Sequence, residues 1–321
     1  MQQVLRSCRA LTVQTAVEIL RQPLPVLVTT LAATLAALFP LVLSFQFGEE
    51  GRLVRDGVLA LHFTLGVYLA AVAASATLGR EIQSGSGALV LSKAVSHELF
   101  YFSKFLGVVL VLALFTLCIG LAAVLSTRVG VANYVVDPRA GGLIGMAIAF
   151  AYLLAGVLNY WKGRPFSSTA QLLFVLALLV SLGLVAVQPG GSDPASSLMQ
   201  TALRLAPALA LVFMALVMMT AITMALAARL PAVPVVVLAA LVFLLGLIKS
   251  PLFGEASARG NIAARLASVL APDWQHFWLV DALAGGGRIP MGYVGWAGLY
   301  AAAYTGGILL VGIAFFRDRD V

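Results

Sequence analysis

"VAASATLGREIQSGSGALVLSKAVSHELFYFSKFLGVVLVLALF", residues 72–115, runs from the end of one apolar stretch, through a polar island, into the start of another. The island carries Arg80, Glu81, Lys93, His97 and Glu98, with glycines at 85 and 87. The apolar stretches on either side, 57–78 and 104–127, are each long enough in helical form to cross a hydrocarbon core of about 30 Å. The island is too polar to sit in that core. The fold is decided here: two membrane-crossing helices joined by a polar segment.

The same reading extends along the chain. Candidate spans lie at roughly 24–45, 57–78, 104–127, 140–160, 168–187, 203–228, 231–248 and 291–316, about eight in all. The 321 residues are 61% hydrophobic and 10% charged, where a soluble protein carries about 25% charged residues. An all-α polytopic membrane protein follows. The net charge of +7 fits basic loops that hold orientation better than nucleic-acid binding. Cys8 and Cys118 lie in different segments and imply no disulfide framework. The first apolar run starts late, near Leu24, and has the length of a full span, so we expect it to be retained rather than cleaved.

Residues 3–22 precede the first span. Val4, Cys8, Leu11, Thr15 and Ile19 recur at helical spacing, while Gln2, Arg6, Arg9 and Gln14 fall largely off that stripe. This predicts an amphipathic helix in the membrane interface. Pro23 and Pro25 then allow the chain to turn into the first span.

Loop charges give the orientation. With both termini cytoplasmic, the inside segments hold Arg6, Arg9, Arg21, Arg80, Lys93, Lys104, Lys162, Arg164, Arg229, Arg317 and Arg319, eleven basic residues against five acidic. The outside segments hold nine basic and eight acidic residues, with four of the basic ones, Lys249, Arg259, Arg265 and Arg288, in the long 249–290 stretch. Short loops count most, so the island faces the cytoplasm and 249–290 is extracytoplasmic. Trp274, Phe277 and Trp278 in that stretch are expected to anchor at the outer interface.

The chemistry that is missing is also informative. "SGSGALVLSKA" (84–94) has glycines and a lysine but not the spacing of a phosphate-binding loop, so ATP hydrolysis by this chain is not expected. His62, His97 and His276 fall in different segments, and no metal-ligand cluster or Ser-His-Asp set can be assembled. His62 lies about a turn and a half inside its helix, where a neutral imidazole is expected to reach interfacial water. No carboxylate stands at mid-span, which argues against an ion-coupled transporter. Gly66, Ala70 and Ala74 repeat every four residues, a spacing that lets a second helix approach closely. An alanine-rich helix without a specific partner would show the same stripe.

The island resembles the segment leading into the third span of ABC-2 type permeases, the membrane subunits of ABC transporters whose ATPase is a separate chain. The loose family pattern, E-I-x-x-G, then L-x-K-x-V-S, an aromatic and K-F-x-G, stands here as Glu81-Ile82-Gln83-Ser84-Gly85, Leu91-Ser92-Lys93-Ala94-Val95-Ser96, Phe100 and Lys104-Phe105-Leu106-Gly107. The leader before the proline break looks like the family's elbow helix. Residues 225–247 look like its penultimate span pair, and "FFRDRDV" (315–321) looks like its charged tail. The likeness is sharp over about 25 residues and elsewhere is one of layout. The family typically has six spans; an extra hairpin over 140–187, with its tip at Lys162–Pro165, accounts for the difference, and the six-span substrate path is not carried over.

The resemblance implies one transmembrane domain, residues 1–321, in a bacterial cytoplasmic membrane, with 79–103 as the cytoplasmic coupling segment. It implies an ABC ATPase partner holding ATP and Mg, a second permease copy or related subunit, and room for an extracytoplasmic partner. The coupling residues would be Glu81, Gly85, Leu89, Leu91, Lys93, Val95, Ser96, Phe100 and Lys104. Physically, such a subunit must expose a stiff knob that conveys ATPase motion to the spans. Residues 87–100 can form a short helix entered through Gly85 and Gly87, and Ser96-His97-Glu98 reads as a helix start. Two other classes remain: a membrane-anchoring, quinone-binding redox subunit, and a passive scaffold for an extracytoplasmic partner. No feature of the spans selects a substrate.

Overall fold

A computed structural model describes residues 2–42, 50–84, 96–131, 135–136, 138–187, 194–249 and 271–317. The helices are α1 Gln2–Leu20, α2 Pro23–Val42, α3 Glu50–Ser84, α4 His97–Val129, α5 Pro138–Lys162, α6 Phe166–Val187, α7 Pro194–Ala227, α8 Ala232–Leu247 and α9 Met291–Arg317. Gly130–Val131 and Val135–Val136 form a two-residue antiparallel pair after α4. Two 3-10 turns, Trp274–Phe277 and Val280–Gly286, precede α9. Seven of the helices are long and apolar enough to cross a membrane, which makes the protein an all-α polytopic membrane protein.

Helices α3, α4 and α7 form the centre, with α2 against α3 and α4, α9 against α7, α8 against α3, and the α5–α6 hairpin against α2 and α4. Burial follows that order: 67% of the apolar window of α7 is buried and 22% of that of α5. Because lipid is as apolar as leucine, close packing rather than hydrophobicity holds such helices together. Leu216 of α7 occupies the space a Cβ on Gly66 would need, and Ala70 and Ala74 are fully buried below it. The stripe on α3 therefore meets a specific partner. Several hydroxyls inside the spans are satisfied within their own helices, as where Thr29, Ser75, Ser181 and Thr220 donate to the carbonyls four residues back. The hairpin is tied in by polar contacts: Gln171 donates to Thr29 of α2 and to Cys118 of α4, and the Tyr152 and Thr30 hydroxyls share a bond of 3.2 Å.

The expected seventh span, 231–248, is the one that differs. Helix α8 has only 16 residues, about 24 Å. Its last turn meets the returning chain, with the Trp274 indole against Gly246 and edge-on to Phe63, whose ring also meets Phe243 of α8. Phe243, four residues before the end of α8, meets Phe63, thirteen residues into α3, so α8 stops short of that end of α3. Residues 271–290 fill the gap. Trp274 and Phe277 are buried in the bundle, a correction to their expected place as surface anchors. The segment's irregular backbone finds side-chain partners, as buried backbone must. Lys249 donates to the Ala271 carbonyl at 3.1 Å, Arg55 to that of Leu283 at 3.0 Å, and the Tyr293 hydroxyl to that of His276 at 2.8 Å. Helix α8 and this fold-back together make one traverse, which returns α9 to the end of the bundle where α1 lies.

Candidate functional site

The polar island leads into α4, and the start of α4 is where the motif residues can be followed. Residues 85–95, and with them Gly85, Leu89, Leu91, Lys93 and Val95, lie outside the described residues; Glu81 is in the last turn of α3. Ser96 caps α4 as its sequence predicts. Its hydroxyl accepts from the Leu99 amide at 3.2 Å, and its carbonyl accepts from Phe100 at 3.0 Å. Ser96, His97 and Glu98 are exposed, and the next turn is buried.

That buried turn joins three parts of the chain. Phe100 stacks on Phe316 at the end of α9, with ring centroids 6.0 Å apart and planes at 19°. Tyr101 packs on the same ring at 5.9 Å, and its hydroxyl fills the space beside Gly312. Arg317 pairs with Glu98 at 3.9 Å, and Arg229, in the turn between α7 and α8, sits 5.5 Å from the Phe315 ring. On the other side α1 crosses α4. A Cβ on Gly107 would stand 2.6 Å from Thr15 and 3.0 Å from the Thr12 carbonyl, so only glycine permits this approach. Ser103 contacts Cys8 at 3.4 Å, and Lys104 pairs with Glu18 at 3.8 Å while lying 5.3 Å from the Phe100 ring.

These contacts separate the sequence-derived coupling residues into two kinds. Ser96 is exposed, but Phe100 and Lys104 are 1% and 3% exposed. Neither offers a surface to another protein; both fasten the start of α4 to α1 and α9. The buried face of α1 is Thr12, Thr15, Ala16 and Ile19, which keeps two positions of the expected stripe. Val4 is exposed instead, at the end of α1 away from its turn into α2. The pairing of residues about two hundred positions apart, Phe100 with Phe316, carries no signal in hydropathy.

Two further features stand apart from this joint. His62 is fully buried, with Nε2 2.8 Å from the Thr116 hydroxyl and its ring 5.7 Å from Phe115. It does not reach interfacial water as expected, because α4 covers it. His97 is at the start of α4 and His276 is in the fold-back at the other end, so the three histidines occupy three levels of the bundle. Thr116 also lines an apolar cleft of about 420 Å³ between α4 and α7, walled on one side by Leu182 of α6. No family model, curated protein or solved structure matches the chain.

Proposed function

We propose that the chain is the membrane-spanning permease subunit of an ABC transporter, coupling ATP hydrolysis on a separate ATPase to export or to mechanical work on the extracytoplasmic side. The observation that carries the reading is the 81–107 motif, joined without a break to a helix start that is fastened to α1 and α9. Both ends of the chain lie on the cytoplasmic side with the motif. Residues 81–96 meet the ATPase, with Glu81 and Lys93 at its charged surface and Leu89, Leu91 and Val95 in an apolar groove. Motion received there passes through Ser96 into the buried turn at Phe100–Lys104. From there it reaches the elbow helix and the last span together, because those contacts are packed and not continuously deformable. This chain supplies no phosphate-binding loop; ATP and Mg belong to the partner. One elbow helix and one set of spans make half a path, so two permease chains pair with twofold symmetry above two ATPases.

The test is co-purification. Leu91→Asp places a charge in the proposed groove at a cost of several kcal/mol if it stays unpaired. It leaves membrane insertion intact, since the change is outside the apolar runs. Recruitment of the ATPase, or the dependence of its turnover on the permease, falls in Leu91→Asp and holds in Ser192→Asp. Equal recruitment and equal coupled turnover in both variants would reject the assignment.

A further inference from the structure

The extra hairpin ends in a turn that neither the coupling reading nor the packing uses. Gly163 takes a left-handed conformation, φ 61°, that closes α5. The Gly163 amide donates to the Asn159 carbonyl at 2.9 Å, and the Asn159 side-chain amide donates to the Arg164 carbonyl at 2.6 Å. The tip is thus a fixed turn. On it Tyr160 and Trp161 are 86% and 78% exposed, and Lys162 and Arg164 are exposed beside them.

The position of these groups is set by the helix below. Met146, Phe150, Leu153 and Val157 form an exposed apolar stripe along α5, and Tyr160 continues it by one more turn. Along one face the chain therefore passes from aliphatic to aromatic to cationic, which is the order from hydrocarbon through interface to headgroup. The cations have no counter-charge of their own. The hairpin, 138–187, contains no acidic residue, and among the described residues neither Lys162 nor Arg164 makes an ion pair. Val26 of α2 packs against Ala155 and Ala170 on the two arms. The tip is therefore at the end of the bundle that also carries Arg21.

We infer that the tip of the α5–α6 hairpin is a binding site for the headgroup of an anionic glycerophospholipid. Lys162 and Arg164 take the phosphate oxygens, and the Tyr160 and Trp161 rings fix the depth of the tip in the interface. This holds whether or not an ATPase docks on the island, since it rests only on the tip and its stripe.

The experiment uses the full chain with a photoreactive phenylalanine analogue in place of Tyr160. The protein is placed in phosphatidylcholine vesicles containing a minor fraction of phosphatidylglycerol, and the adducts are identified by mass spectrometry. Each basic residue near an anionic surface contributes about a fivefold preference. Phosphatidylglycerol is therefore expected in the adducts at about fivefold or more above its share of the bilayer. That enrichment falls to about the bulk ratio in Lys162→Gln/Arg164→Gln and declines with rising salt. Arg288→Gln, at the other end, leaves it unchanged. Adducts at the bulk lipid ratio in the unsubstituted tip, or enrichment untouched by the double variant, would overturn the inference. So would a dominant adduct to a soluble protein when the ATPase is present, which would assign the tip to protein docking instead.

Discussion

The start of α4 and the tip of the α5–α6 hairpin are built from the same kinds of residue and end up opposite. Each has adjacent aromatics with a lysine close behind: Phe100, Tyr101, Phe102 and Lys104 in one, Tyr160, Trp161 and Lys162 in the other. At α4 the Phe100 and Tyr101 rings are buried while Phe102 faces outward, and the lysine has a carboxylate partner in Glu18. At the tip both rings are exposed. The difference lies in what the topology sets beside them. Helix α4 begins where α9 ends and α1 crosses, so its rings have Phe316 to pack on. The tip has only the two arms of its own hairpin. One set of residues becomes an internal joint and the other an outward contact.

The largest expected effect tests that contrast directly. Phe100→Ala removes a ring from a site where α4 and α9 meet, and cavities of this kind cost about 3–5 kcal/mol. Trp161→Ala removes a larger ring that touches little, and surface changes stay within about 0.5 kcal/mol. Thermal unfolding of the full chain in one detergent should show a clear fall in midpoint for the first and none for the second. Comparable shifts would mean that the hairpin tip is packed against something after all.

How much of this contrast was legible follows from range. Hydropathy is local: it located α2, α5, α6 and α9 within about three residues, while α3, α4 and α7 begin seven to nine residues before their expected starts, where the sequence turns polar. The Ser96 start of α4 was legible for the same reason, since a cap acts over three residues. The length of α8 was not. Residues 231–248 are as apolar as a full span, and only the long-range contact between Gly246 and Trp274 shows where the helix stops. The fold-back was missed because aromatic residues in a loop between spans look the same whether they anchor at an interface or fill a core. Trp274 and Phe277 stand three apart with Gln275 and His276 between them, and Phe63 and Phe243 lie in the spans to receive them; that is a signal only once the helices are placed. Among the coupling residues, Phe100 and Lys104 were singled out by motif, but the sequence could not tell a residue that meets a partner from one that braces the helix behind it.

Two glycines sharpen the comparison at intermediate size. Gly107 is required by close approach, with Thr15 and the Thr12 carbonyl where a Cβ would go. Both obstacles belong to a packed helix, so Gly107→Ala is expected to push α1 away at a cost of about 1–3 kcal/mol. Gly163 is required by its φ of 61° alone, since nothing lies within 4 Å of its Cβ position. Gly163→Ala should cost about 1 kcal/mol through backbone strain, without disturbing any packing between helices. Cross-linking of the native Cys8 of α1 to a cysteine placed at position 103 of α4, where Ser103 meets Cys8 at 3.4 Å, tells the two apart. The Gly163 variant should keep the proximity of α1 and α4 seen in an otherwise unsubstituted cysteine pair, and a loss of that proximity would tie the tip to the joint.

The smallest effect concerns charge. Glu18→Gln takes away the carboxylate 3.8 Å from Lys104, a side chain that is 4% exposed. Burial makes a lysine depend on its partners, but Glu18 itself is 39% exposed, so solvent screens part of the interaction. A loss of about 1 kcal/mol is expected. Lys104→Met keeps the stem against Phe100 and removes the charge, so it should cost less than Glu18→Gln, because exchanging a buried charge for an apolar group of similar volume is often neutral. Lys162→Gln at the tip should leave the unfolding midpoint where it is in neutral lipid or detergent, its partner being outside the chain. Measured side by side at low and high salt, the three variants should fall in that order, with the Glu18→Gln loss persisting at high salt because a partly buried pair is weakly screened. If Lys162→Gln lowers the midpoint as much as Glu18→Gln in a neutral detergent, the tip lysine has an acceptor within the protein, and the two regions differ in exposure but not in kind.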